Sequence, residues 1–216
     1  MPSYADEMAG RLPSTMTLPD EFRVLFDWME SSGFFMASEA YPGDRLGLLG
    51  TEDQLQGGEV TTIMFRVATP EQARDFGRAW FRDAVPNVEQ RLVPFARTGG
   101  DGSYCAFWVD DAGRREIVHL GSEGLVCLVG RTPLDFLRLC AIGYEEISGD
   151  ALGDPDSPPD GAGALNAAFR AWLTGRFGVS IPPTAREIVG PIPTGHFDET
   201  ASDDPFWRWT RAHQDG

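Results

Sequence analysis

The chain of 216 residues, 42% hydrophobic and 24% charged, is long enough to bury roughly 70% of the surface its unfolded form would expose. That balance excludes disorder, and with fourteen Phe, six Trp and four Tyr a core needs neither disulfide nor metal to complete it. The net charge is −15, and all eighteen basic residues are arginine, so direct nucleic-acid binding would work against phosphate repulsion and is set aside.

The opening Met1-Pro-Ser-Tyr-Ala-Asp-Glu lacks the positive start and apolar middle of a secretory signal. No stretch reaches the roughly 18 apolar residues of a membrane span. Cys105, Cys127 and Cys140 are an odd count, each inside an apolar run, and read as reduced core thiols of a cytoplasmic protein.

In chain order, residues 1–16 have weak periodicity and read as an arm. Thr17-Leu-Pro-Asp20 resembles a capping box, and Phe22, Leu25, Phe26 and Met29 follow at helical spacing until Ser31-Ser32-Gly33 stops the run. Residues 45–50 and 60–67 have strand character. Thr69-Pro-Glu-Gln72 starts a second helix with Pro70 at its first position, carrying Phe76, Ala79, Trp80 and Phe81.

Residues 91–96, 103–109, 116–120 and 125–130 read as four strands. Asp110-Asp-Ala-Gly113 and Gly121-Ser-Glu-Gly124 are tight turns, and such short connectors imply antiparallel neighbours. Thr132-Pro133 opens a third helix with Leu134, Leu137, Cys140, Ala141 and Tyr144 inward. Residues 148–163, rich in Gly, Pro and Asp, read as an exposed loop. Leu165, Phe169, Trp172, Leu173 and Phe177 then form an amphipathic helix that must fold back onto the body, and residues 184–189 add a helical turn. The tail beyond Pro193 carries Phe206, Trp207 and Trp209.

Motifs for catalysis or cofactors are sparse. Gly99-Gly-Asp-Gly102 sits between strands and does not continue as a dinucleotide fingerprint. Leu120-Gly-Ser-Glu-Gly124 departs from a nucleophile elbow at its first position and precedes a strand, where an elbow needs a helix. Ser122 with His119 as base is therefore a remote hydrolase reading. His196 and His213 form no metal-ligand spacing with the cysteines. The adjacent pairs Asp110/Asp111, Glu145/Glu146 and Asp203/Asp204 read as solvated turn chemistry, since acid–base work needs two environments that push pKa values apart.

The stretch LVPFARTGGDGSYCAFWVDDAGRREIVHLGSEGLVCLVGRTPLDFLRLCAIGY, residues 92–144, resembles the SUKH superfamily, which unites bacterial toxin-immunity proteins with a yeast regulator of cell-wall synthesis. LPDEFRVLFDWMESSG fits that family's opening helix, and FRAWLTGRFGVSIPPTAREIV is similar to a C-terminal extension of bacterial members. The resemblance implies an α+β fold, an antiparallel-dominated sheet flanked by helices, as one SUKH-like domain over residues 17–190 with a loop near 148–163 and a tail over 191–216. It implies a cytoplasmic, non-enzymatic protein without cofactor or metal, whose partner is a protein toxin such as a basic nuclease; a regulatory scaffold is the alternative. An acidic surface suits a basic partner. Asp101, Asp110 and Asp111, in acidic turns, are the candidate partner contacts.

Overall fold

The structure, a computed structural model, describes residues 2–100, 102–161, 165–190, 192 and 202–214. Seven strands cross one open sheet in chain order: β1 (Phe35–Ala37), β2 (Arg45–Gly47), β3 (Met64–Phe65), β4 (Leu92–Arg97), β5 (Tyr104–Val109), β6 (Arg115–Leu120) and β7 (Val126–Leu128). Every neighbouring pair is antiparallel, as the short connectors require. The fold is α+β, with helices packed against the sheet.

Both faces of β4, β5 and β6 are buried, which explains runs such as Tyr104–Val109 that are apolar at almost every position. On one face Phe95, Cys105, Phe107, Ile117 and Cys127 meet α1 (Tyr4–Gly10), α2 (Asp20–Ser32), α5 (Pro133–Ile142) and α6 (Ala167–Phe177). Phe22 of α2 sits at the centre of this cluster, its ring 4.9 Å from Phe95, 5.2 Å from Phe107 and 5.9 Å from Phe136. On the other face Leu92, Ala106, Trp108, Val118 and Val126 are covered by α4 (Pro70–Phe81) and α8 (Pro205–Gln214). A short α3 (Glu52–Gln56) stands between β2 and β3, and α7 (Arg186–Val189) follows α6.

Local chemistry sets the helix ends. Thr69 and Gln72 form a full capping box at the start of α4, with Pro70 in the first turn, where its missing N–H is harmless. Thr132 caps α5, and Gly143 ends that helix in the left-handed region.

Several expectations need correction. Within the expected arm of residues 1–16, residues 4–10 form α1, which buries Tyr4, Ala5 and Met8, and the Tyr4 hydroxyl donates to the Phe65 carbonyl at 2.6 Å. Pro19 rather than Thr17 occupies the N-cap of α2; the Thr17 hydroxyl accepts from Arg115 at 2.6 Å instead. Within residues 60–67 the regular strand is only Met64–Phe65, with the Arg66 N–H continuing the contact to β4 through the Phe95 carbonyl at 2.8 Å, and β1 and α3 carry too short a pattern for periodicity to reveal. In α4 the buried face is Ala73, Gly77 and Phe81, while Ala79 is exposed.

The loop of residues 148–163 is more structured than its composition implies. It contains most of a π-helical turn, Ile147–Leu152, whose Ile147, Ala151 and Leu152 are buried. The Tyr144 hydroxyl donates to the Ser157 carbonyl at 2.7 Å and accepts the Ala185 N–H at 3.0 Å, tying the loop to the chain ahead of α7. The tail contributes α8, whose Phe206 and Trp209 are buried against Trp108 at ring distances of 5.1 and 5.6 Å.

Candidate protein-binding surface

Asp110 closes the β5–β6 turn from inside. One carboxylate oxygen accepts the backbone N–H of Ala112 at 2.9 Å and of Arg114 at 2.8 Å; the other accepts the Arg114 guanidinium at 2.7 Å. Burial raises its pKa, but these donors outweigh that and hold the carboxyl below the usual carboxylate range. Only 8% of the residue is exposed, so this carboxylate is committed to its own turn. Asp111 is open to solvent and pairs with Arg91 at 2.6 Å.

Asp101 lies outside the described residues. In sequence it precedes β5, whereas Asp110 and Asp111 follow β5. The β4–β5 and β5–β6 turns lie at opposite ends of that six-residue strand, about 20 Å apart.

A different group of acids does converge. Past the C-terminus of α5 the chain turns at Gly143 and lines a cleft of about 310 Å³ with Tyr144, Glu145, Asp150, Asp154, Asp160 and Leu165. Tyr144 fixes the far wall through its bond to Ser157. Asp150 accepts the Glu146 N–H at 3.2 Å and Asp154 accepts the Ser157 hydroxyl at 2.7 Å. Among the described residues no arginine pairs with Glu145, Asp150, Asp154 or Asp160, and all four are exposed. Neighbouring Glu146 accepts the Gly100 N–H at 2.6 Å, linking this rim to the β4–β5 turn. The acidic composition of residues 148–163 was the available signal for this cleft; what it lacked was the fold-back that brings Asp160 beside Glu145.

The residues weighed for chemistry fall elsewhere. His119 is fully buried, in register between Cys105 and Cys127, so no substrate reaches its imidazole, while Ser122 is exposed in the β6–β7 turn. All three cysteines are buried and free, and burial pushes each thiol well above its ordinary pKa. His213 caps α8 from within, its Nδ1 2.7 Å from the Trp209 carbonyl; His196 lies outside the described residues. Among the described residues, no group of three or more His, Cys, Asp or Glu is arranged to hold a metal ion, and no helix is long and apolar enough to cross a membrane. No protein-family model, curated protein or solved structure gives a significant match to this chain.

Proposed function

We propose that the protein is an immunity protein of the SUKH type, which binds a basic protein toxin and blocks it by occupying its active surface. The observation that carries the reading is the cleft of Glu145, Asp150, Asp154 and Asp160, four exposed carboxylates without paired arginines in a chain of net charge −15. The antiparallel α+β fold and the resemblance of residues 92–144 support it. A toxin that cleaves nucleic acid must present a positive surface to phosphate, and a concentrated negative surface meets that requirement. Asp111, at the far end of β5, is exposed but already paired with Arg91 and adds little free charge. Asp110, held inside its turn, contributes shape and no free charge.

The test is binding to the toxin domain encoded beside this gene. Surface plasmon resonance should show an association rate that falls as salt rises, because the screening length is about 8 Å at physiological ionic strength and shortens with added salt. Glu145→Arg with Asp160→Arg should slow association and leave the fold intact, both side chains being exposed. Salt-independent association, or an unchanged rate in that double variant, would remove the cleft from the interface. Failure of the protein to protect cells producing that toxin would overturn the immunity reading.

A further inference from the structure

The arginines of α4 build a cleft of the opposite charge. Arg74 and Arg78 stand four residues apart on one helix face, and Arg82, at the C-cap, continues the row. The chain then reverses. Arg82 has φ 52° and ψ −125°, and Asn87 has φ 53°, conformations that non-glycine residues rarely adopt. Between them the segment returns along α4, and a 3-10 turn, Val88–Gln90, seats against Gly77. A Cβ at Gly77 would lie 2.3 Å from a Val88 methyl carbon, so only glycine permits this approach.

The result is a cleft of about 290 Å³ lined by Arg74, Arg78, Arg82, Asp83, Asn87 and Glu89. Among the described residues three non-glycine positions have positive φ, and two of them line this cleft. The third, Asn166, has a structural cause: its side chain accepts the Thr61 N–H and donates to the Cys140 carbonyl. Such backbone conformations persist where the surroundings hold them, and they concentrate at binding sites.

The charges in the cleft do not cancel. Glu89 is buried and pairs with Arg74 at 3.2 Å. Asp83 is 94% exposed and reaches Arg78 only at 3.8 Å, a contact that solvent screens. The Arg82 backbone N–H closes the helix on the Arg78 carbonyl, while its guanidinium forms no ion pair, hydrogen bond or ring contact among the described residues.

We infer that this cleft binds a phosphate group, with Arg78 and Arg82 as the gripping forks and Arg74 as the rung that Glu89 holds in place. Guanidinium forks match phosphate oxygens in pairs, and the volume suits a small oxyanion or a phosphate borne by a small molecule. The inference is independent of toxin binding and lies on a different part of the fold.

Titration with inorganic phosphate and, separately, with adenosine monophosphate, read by amide chemical shifts at low ionic strength, tests it. Saturable shifts should centre on residues 74–89. Arg78→Gln and Arg82→Gln should each weaken binding roughly tenfold, the scale of one lost charge-assisted hydrogen bond, and Asp83→Asn should tighten it by removing a competing anion. Tighter binding of the nucleotide assigns the site to a phosphorylated small molecule, and equal binding assigns it to free phosphate. Absence of saturable shifts with both anions in the wild-type protein, or equal affinity in wild type and a folded Arg82→Gln variant, would overturn the inference.

Discussion

Asp204, on the turn leading into α8, accepts the backbone N–H of Leu128 in β7 at 2.9 Å. Its other carboxylate oxygen accepts the N–H groups of Phe206 and Trp207, both at 2.9 Å. One side chain thus caps a helix and occupies a donor on the last strand of an open sheet, where unpaired backbone groups invite pairing with another chain. Burial raises the Asp204 pKa above the usual carboxylate range, and the three donors offset that only in part.

Asp204→Ala should cost roughly 2 kcal/mol, the sum of a lost cap and a stranded N–H, measured by urea denaturation. The pH dependence has a definite sign. Because the folded pKa lies above the unfolded one, the folded chain holds a proton that the unfolded chain has lost in the window above pH 3.8. Stability contributed by this group therefore falls as pH rises through that window, and the Asp204→Ala variant should lose that component.

Asp110 behaves in the opposite sense. Its folded pKa is lowered from 3.8, so its contribution is present above that value and is lost as pH falls through the folded pKa. Asp110→Ala should cost about 1–2 kcal/mol, because the N–H groups of Ala112 and Arg114 lose their acceptor. Thermal melts at neutral pH and near pH 3 should show a smaller gap between variant and wild type at the acid end; an equal gap at both would contradict the linkage.

Phe169 and Trp172 share α6 but not an environment. Phe169 is fully buried, and Phe169→Ala should cost about 3–5 kcal/mol. Trp172 is half-buried, stacked on Trp28 with ring centroids 4.7 Å apart, and Trp172→Ala should cost less, roughly 2 kcal/mol. Phe206→Ala on α8 should match Phe169→Ala, since Phe206 is equally buried. A chain ending at residue 190 should aggregate, because the sheet face around Trp108 and Val118 would lose α8.

The buried thiols should be inert in the native state. Cys105, Cys127 and Cys140 are 1% exposed or less, and burial holds each as the neutral thiol, whereas the thiolate is the nucleophile. A thiol-reactive chromophore should report no reaction at neutral pH until denaturant is added, and three equivalents afterwards. Reaction of the folded protein would show that the core opens on the timescale of the assay.

Much of the fold follows from local pattern. The strands around Phe95, Phe107 and Val118 stand out because a pleated segment buried on both faces reads as a continuous apolar run. Their turns are set by Asp110 and Gly113 and by Gly121 and Gly124, which carry the conformations a tight reversal needs. The caps Thr69 and Thr132 act within three residues of themselves, so their signal is local too.

Short-range pattern could not reveal what depends on distant partners. Residues 1–16 are polar enough to read as an arm, yet Tyr4 is held by the Phe65 carbonyl, 61 positions away. The same limit applies at the other end of the chain, where Phe206 and Trp209 mark an apolar segment without stating what they cover. Trp108, at the opposite face of a strand assigned from its own pattern, supplies the answer. Apolar runs and short turns determined the central strands and their antiparallel order, composition determined the acidic balance, and the α+β class followed from the resemblance. Tertiary structure decided which acids are free. It committed Asp110 to its own turn, set Asp111 against Arg91 and brought Glu145 and Asp160 to one cleft, because a carboxylate's availability depends on the donors that folding places within hydrogen-bond reach.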